Sequence, residues 1–116
     1  MYAGTGVSVI NGVSVIEHAS NYMPSPLVYN APINGWTHIA VVYQNKQPNL
    51  YVNGVLVRTG LISGRTVYPS ANLGKVNSGY GPYWGLLDEV SIYNRALTSV
   101  EIQSIFLAGS GGKCLP

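Results

Sequence analysis

Residues 85–106 read GLLDEVSIYNRALTSVEIQSIF and carry three of the four acidic residues of this 116-residue chain. Asp88 and Glu89 are neighbours in an apolar run typical of a β-strand, which predicts that their side chains point to opposite faces. Asp88 falls on the core face, where we expect it to accept hydrogen bonds from a neighbouring turn, with metal or ligand binding as the alternative. Glu89 falls on the other face, in a position to pair with Arg95. The two carboxylates therefore do not form a catalytic acid–base pair.

The second half of this stretch has the signature of a short helix. Thr98 and Glu101 have the spacing of a capping box, in which each side chain bonds the backbone N–H of the other residue. Leu97 before the cap and Ile102 inside the helix match a hydrophobic staple, and Gly109 sits where a glycine ends a helix. The predicted apolar face consists of Ile102, Ile105 and Phe106. Glu101 is therefore assigned a structural role.

Upstream, short runs of β-branched and aromatic residues alternate with turn sequences. The pairs Asn11-Gly12 and Asn53-Gly54 are strong hairpin signals. The run 36–43, WTHIAVVY, is apolar on both faces, which predicts a central, buried strand. Closely spaced strands joined by tight turns are typical of an antiparallel β-sandwich. The predicted strands are 6–10, 13–18, 27–30 at an edge, 36–43, 50–52, 55–57, 65–68, 71–75 and 86–93.

The composition excludes several classes of partner. Only 9% of the residues are charged, the net charge is +2, and the six basic residues are scattered singly. No basic stripe is present, so nucleic acid is not an expected partner. Residues 19–45 carry no Asp, Glu, Lys or Arg, but prolines and glycine interrupt them, so they predict no membrane helix and no membrane partner. The N-terminus has neither the basic region nor the long apolar run of a signal peptide.

Four segments in this order resemble laminin-G-like (concanavalin A-like) jelly-roll domains: WTHIAVVY, LYVNGVLV, a glycine-rich loop and GLLDEVSIYNRALTSVEI. The resemblance covers residues 36–113. It implies an all-β fold, an antiparallel β-sandwich with one short C-terminal helix, forming a single domain over residues 1–116. It also suggests an extracellular or cell-surface location.

Two departures from the family pattern lead to further expectations. Only about 35 residues precede Trp36, so the sandwich is expected to lack some N-terminal strands. Open sheet edges are templates for pairing, and we therefore expect a homo-oligomer, most simply a symmetric dimer. Many relatives bind calcium near the loops, but residues 74–85 contain no carboxylate, which calcium sites usually need. No cofactor is predicted, and calcium is not implied.

Enzymatic chemistry finds little support in the sequence. Glycoside hydrolysis is the serious enzyme alternative, because some enzymes share this broad fold, and it needs two carboxylates facing each other across a cleft. The chain has no such alternating pair. A triad using His38 is also weakly supported, because His38 lies mid-strand and no G-x-S-x-G turn is present. The sequence therefore predicts a non-enzyme.

A binding module is the remaining interpretation. The loop 76–85 presents Asn77, Tyr80, Tyr83 and Trp84, a cluster of aromatic and amide side chains of the kind that contacts sugars. The alternative is that these aromatics fill one end of the sandwich. The sequence thus predicts a non-catalytic recognition or adhesion module with a carbohydrate ligand or, second, a protein surface. A structural, self-assembling domain without a ligand is the competing class.

Overall fold

The computed structural model describes residues 2–8, 12–19, 24–33, 35–69, 90–93 and 95–108. Within these ranges the chain forms seven strands and one helix. They are β1 (Tyr2–Ser8), β2 (Val13–His18), β3 (Leu27–Tyr29), β4 (Ile39–Gln44), β5 (Gln47–Val52), β6 (Val55–Thr59), β7 (Thr66–Pro69) and α1 (Ser99–Ala108).

The described strands form two sheets. The first has the order β3-β2-β1-β7 and the second the order β4-β5-β6. Four of the five strand pairings are antiparallel, but β1 and β7 run parallel, with Tyr2 opposite Thr66. The sandwich and its C-terminal helix confirm the predicted fold class. The strand predicted at 65–68 exists, but its parallel pairing with the first strand was not anticipated.

The main core lies between the two sheets. Val13, Val15 and Leu27 from the first sheet meet Leu50 from the second, and each of these side chains is at most 2% exposed. Partly buried side chains from both sheets and the adjoining segments complete the cluster: Tyr29, Ile33, Ile39, Val41, Tyr43, Val52 and Val57. The odd-numbered residues of β4 thus face the first sheet, as the alternation of a strand requires.

The opposite face of the second sheet is covered by the helix. Val42 and Tyr51 on this face form a second buried cluster with Ile102 of α1. Ala40, Ala96 and Leu97 pack against the cluster, which places the predicted staple residue Leu97 beside Ile102. β4 is therefore apolar on both faces because one faces a sheet and the other faces a helix.

The prediction that residues 36–43 form a central strand is wrong for the described part of the chain. Here β4 is an edge strand of its sheet and begins at Ile39. Trp36 is 70% exposed, because the chain bends at Gly35 (φ 74°), where the Thr37 hydroxyl donates to the Gly35 carbonyl (3.2 Å). Apolar side chains on both faces of a strand indicate that other elements pack on both faces. They do not indicate that the strand has a hydrogen-bonded neighbour along each edge.

The first hairpin is shifted by one residue from the prediction. A two-residue turn at Asn11-Gly12 would place Val7 opposite residue 16, but Val7 lies opposite Val15 and Ser8 opposite Ser14. Gly12 has φ 112°, a conformation that favours glycine. A side chain there would collide with the Tyr29 carbonyl oxygen. The turn sequence thus predicted the hairpin, but packing against β3 contributes to its geometry.

Both turns of the second sheet contain two successive residues in the left-handed region of backbone conformation. Asn45 and Lys46 have φ 52° and 63°, and Asn53 and Gly54 have φ 50° and 80°. Two successive positive φ angles are the mark of the type I′ hairpin turn. The prediction for Asn53-Gly54 is confirmed. The stretch between the predicted strands 36–43 and 50–52 contains a turn of only two residues, because Gln47 onward belongs to β5.

Pro48 lies in the middle strand of this sheet, where a missing N–H would normally leave a carbonyl without its donor. Gly60 N–H donates to the Pro48 carbonyl (2.8 Å), but Pro48 has no N–H with which to reciprocate. The side-chain amide of Gln47 donates to the Gly60 carbonyl instead (2.9 Å). The neighbouring glutamine thus substitutes for the proline donor, which explains how this strand accommodates a proline.

The strand predicted at 86–93 is not observed in its described part. Residues 90–93 have no strand conformation, and Val90, Ile92 and Tyr93 are 50%, 59% and 43% exposed. A strand needs a hydrogen-bonded neighbour, and none of the described strands pairs with these residues. The predicted strand at 71–75 and residues 86–89 lie outside the described residues.

A buried carboxylate links the two sheets. Glu17 of β2 is 0% exposed, and its oxygens accept hydrogen bonds from the Tyr43 hydroxyl of β4 (2.9 Å) and the Ser63 hydroxyl (2.8 Å). Burying a carboxylate is costly unless hydrogen bonds compensate for the lost water. Glu17 therefore joins both sheets and the segment after β6, a role that its position in the sequence did not predict.

We expect Tyr43→Phe to lower the free energy of unfolding by about 1.5–3 kcal/mol, the range for a hydrogen bond to a charged group. Tyr51→Phe is the matched control, because the Tyr51 hydroxyl bonds the neutral Ser99 hydroxyl (3.0 Å). Loss of this neutral hydrogen bond should lower the free energy of unfolding by only about 0.5–1.5 kcal/mol. Urea denaturation of both variants at neutral pH measures the difference. A Tyr43→Phe cost no larger than that of Tyr51→Phe would contradict the proposed importance of Glu17.

Candidate functional site

The binding residues predicted from the sequence, Asn77, Tyr80, Tyr83 and Trp84, all lie outside the described residues. Their grouping into one site stays a prediction. The same applies to the predicted core orientation of Asp88 and to Glu89. The candidate site below consists of residues that the structure describes.

The carboxylate of Glu101 is held at the start of α1. Its Oε1 accepts from the Thr98 N–H (2.9 Å), while the Glu101 N–H donates to the Thr98 hydroxyl (3.2 Å). Both halves of the predicted capping box are therefore present. Arg95 binds both carboxylate oxygens of Glu101, at 2.9 and 2.5 Å. The predicted pairing of Arg95 with Glu89 lies outside the described residues.

These contacts determine the protonation of Glu101. The hydrogen bond from Arg95 and then the Thr98 N–H lower the pKa of Glu101 to about 2, and the hydrogen bond to Glu101 raises the pKa of Arg95. A carboxylate that is ionised and bonded on both oxygens is poorly suited to act as a general acid. Its position in the first turn of α1 also suits the helix dipole.

The described carboxylates therefore supply no catalytic pair. Glu17 is buried between the sheets, and Glu101 is bonded at the helix start. Among the described residues, no three His, Cys, Asp or Glu side chains come together as a group that could hold a metal ion. No helix in the described part of the chain is long and apolar enough to cross a membrane.

His38 lies at the entrance of β4 and has a structural environment. Its backbone N–H donates to the Asn53 side-chain oxygen (3.0 Å), and its carbonyl accepts from the Asn53 N–H (2.8 Å). The His38 ring lies against the Phe106 ring, with centroids 6.0 Å apart. These contacts connect β4, the Asn53-Gly54 turn and the helix.

A small cleft of about 250 Å³ opens at one end of the sandwich. It lies where the start of β2 and the end of β3 meet the turn between β5 and β6. Its floor and walls are largely apolar, and its polar side chains are Thr37 and Asn53 beside the Tyr29 ring. The lining residues are Val13, Tyr29, Ala31, Pro32, Ile33, Thr37, Val52 and Asn53.

The hydrogen-bonding groups of the cleft are neutral. The Asn53 side-chain oxygen is engaged with the His38 N–H, but Asn53 Nδ2 donates to no partner among the described residues. The Thr37 hydroxyl donates to the Gly35 carbonyl and keeps its acceptor capacity. The cleft thus offers an amide donor, a hydroxyl acceptor and an aromatic ring, and no carboxylate or histidine is among the described residues that line it.

Trp36 is an exposed aromatic residue and the sequence neighbour of Thr37, which lines the cleft. It immediately precedes Thr37 and, at 70% exposed, is the most exposed aromatic side chain among the described residues. A solvent-exposed indole offers an apolar face and an N–H donor. The sequence signal for this site is a pair of neutral polar residues, Thr37 shortly before β4 and Asn53 directly after β5, although Asn53 was predicted only as a turn residue.

The chain matches a laminin-G family described as the concanavalin A-like lectin/glucanases superfamily over residues 6–103. The protein belongs to this superfamily. The match begins well before residue 36, where the sequence resemblance had been placed, so the superfamily pattern includes the first hairpin. The superfamily comprises both lectins and glucanases, so membership alone leaves catalysis and carbohydrate binding undecided.

No curated protein matches the chain. Among solved structures, it resembles a domain of an S-layer domain-containing protein from Clostridium thermocellum, with a TM-score of 0.53 and 17% sequence identity. The alignment covers 89% of this chain and 63% of that domain, so the present chain spans less than two thirds of it. At this identity the likeness concerns the fold.

We expect the stabilising effect of Glu101 to depend on pH. Its pKa is lowered from 4.5 to about 2 on folding, so its contribution is fully present above pH 4.5 and is lost as the pH falls towards 2. Glu101→Gln keeps a side chain able to cap but removes the charge. Urea denaturation of both proteins should show a stability difference at neutral pH that shrinks across this acid range. A difference that stays constant with pH would contradict the role of the ion pair.

Proposed function

We propose that this protein is a non-catalytic recognition module that binds a neutral sugar in the cleft containing Tyr29, Thr37 and Asn53. The observation that carries the proposal is the chemistry of this cleft, which combines an aromatic ring with an amide donor and a hydroxyl. Sugars present hydroxyls around an apolar ring face, and these groups complement both features. A cleft of about 250 Å³ lies below the range of about 300–1,000 Å³ typical of sites for drug-sized ligands, which favours a single terminal sugar unit.

The carboxylates favour recognition over hydrolysis. A glycosidase places two carboxyl groups across its cleft, typically about 5–10 Å apart. Among the described residues, the carboxylates of Glu17 and Glu101 are held by Tyr43 and Arg95 respectively, and neither lines the cleft. Superfamily membership supports the carbohydrate ligand class, because the superfamily includes lectins.

A cell-surface location fits this proposal. The similar S-layer domain-containing protein and the superfamily both support it. Self-association, expected from open sheet edges, also stays a prediction. The exposed Val90 and Ile92 favour it, because each side chain is at least half exposed in the part of the chain that the structure describes.

A glycan array with wild type and Asn53→Asp tests the sugar site. The substitution keeps the oxygen that accepts from His38 and a residue that tolerates positive φ, but it removes the Nδ2 donor. We expect glycan binding to fall about tenfold, as for the loss of a hydrogen bond worth about 1–1.5 kcal/mol. The matched control is Asn45→Asp, because Asn45 occupies the corresponding first position of the other type I′ turn (φ 52°) and lies outside the cleft.

The same array distinguishes the cleft from the loop predicted from the sequence. Tyr83→Ala should leave binding unchanged if the sugar occupies the cleft, and Asn53→Asp should leave it unchanged if the loop is the site. Equal binding by wild type, Asn53→Asp and Asn45→Asp would exclude the cleft. An array without any bound glycan would overturn the carbohydrate proposal.

A further inference from the structure

The amide donor of the cleft, Asn53, is exposed and yet held in one orientation. Because the residue is exposed, packing around its own side chain restrains it little. Two hydrogen bonds with His38 hold it instead: the His38 N–H donates to Asn53 Oδ1 (3.0 Å), and the Asn53 N–H donates to the His38 carbonyl (2.8 Å). With Oδ1 engaged, Nδ2 is the end of the amide that is left for a ligand. The position of this donor therefore depends on the pairing of residues 38 and 53.

Phe106 of α1 lies against both sides of this pairing. Its ring centroid is 6.0 Å from that of His38, and the two ring planes are tilted by 50°. On the other side, a Cβ atom at Gly54 would lie 3.1 Å from Phe106 Cδ2 and 3.4 Å from Phe106 Cβ and Cγ. The helix thus contacts the hydrogen-bonding partner of Asn53 and also the residue that follows Asn53 in the turn.

The glycine at position 54 allows this close contact. Lys46, at φ 63°, shows that the second position of a type I′ turn can carry a side chain in this protein. At Gly54, with φ 80°, the space that a side chain would occupy lies against Phe106. Glycine therefore lets the Phe106 side chain pack directly on the turn beside Asn53.

The attachment of α1 does not depend on Phe106. Ile102 is 2% exposed and joins the helix to the second sheet in a cluster with Val42 and Tyr51. Phe106 is only half-buried and is not part of either buried cluster. Loss of the Phe106 side chain should therefore loosen the turn while α1 stays docked through Ile102.

We propose that Phe106 is a positioning residue of the cleft, which holds the Asn53 amide donor in its binding orientation through His38 and the Asn53-Gly54 turn. The inference rests on the proposed sugar-binding function and extends it to α1, none of whose residues lines the cleft. Ordering a free side chain on binding lowers affinity by about two- to tenfold, and restraint before binding avoids that loss. Phe106 supplies this restraint.

Amide hydrogen exchange tests the positioning without any sugar. The His38 and Asn53 N–H groups report the two hydrogen bonds, and Phe106→Ala should raise their exchange at least about tenfold relative to the rest of the β4–β5 ladder. Ile105→Ala is the matched control, because Ile105 is also a half-buried apolar residue of α1. It should leave this ratio unchanged. Phe106→Leu should restore it, because leucine keeps the Cβ, Cγ and Cδ atoms that face Gly54.

A glycan array probed over a series of protein concentrations tests the consequence for binding. Phe106→Ala should lower the apparent affinity by about two- to tenfold, whereas Phe106→Leu and Ile105→Ala should bind as wild type does. In the Asn53→Asp background, Phe106→Ala should cause no further loss, because two substitutions that act through one group are not additive. A purely structural role of Phe106 would give additive losses.

The two measurements separate the failure of this inference from the failure of the proposed function. An array to which wild type does not bind overturns the sugar site, and the exchange of His38 and Asn53 still decides whether Phe106 holds the donor. The positioning role is overturned if Phe106→Ala leaves this exchange unchanged or alters it no more than Ile105→Ala does. It is also overturned if wild type binds glycans and Phe106→Ala binds them equally well, or if the losses in the double variant add.

Discussion

The buried carboxylate of Glu17 is the constraint on which the arrangement of this sandwich depends. An ionisable group between two sheets must be supplied with donors, and here the donors come from Tyr43 in the second sheet and Ser63 after β6. These contacts fix more than one element. The Ser63 hydroxyl also accepts from the Arg65 N–H (3.0 Å), which directs the chain into β7 beside β1. One carboxylate thus couples the packing of the sheets to the path of the segment 60–65.

The second sheet is the middle of three layers, between the first sheet and α1. Its inner face packs on the first sheet through Leu50, and its outer face packs on α1 through Val42 and Ile102. The helix is held at its start by Thr98 and Glu101 and near its end by Phe106, which contacts His38 and the turn at Gly54. Covering a sheet with one capped helix removes its apolar face from water without further strands.

The scarcity of charge bears directly on function. The described carboxylates are committed to structural contacts, so the neutral cleft beside Asn53 stands out as the surface suited to a hydroxyl-rich ligand.

The sequence by itself determined the features that depend on neighbours along the chain. The capping box of Thr98 and Glu101, the Asn53-Gly54 turn and the strands Val13–His18 and Leu27–Tyr29 follow from residue type and spacing over a few positions. The superfamily could also be recognised, because its most specific segments are continuous in sequence.

Only the tertiary structure decided the features that join distant residues. Glu17 meets partners 26 and 46 positions away, β1 pairs in parallel with β7, and the cleft combines residues from β2, β3 and the β5–β6 turn. Residue spacing along the chain does not predict such contacts, because they depend on which faces of the sheets and the helix are buried against each other. Trp36 shows the same limit: its place in an apolar run predicted burial, but a bend at Gly35 before the first pair of the ladder left it in solvent.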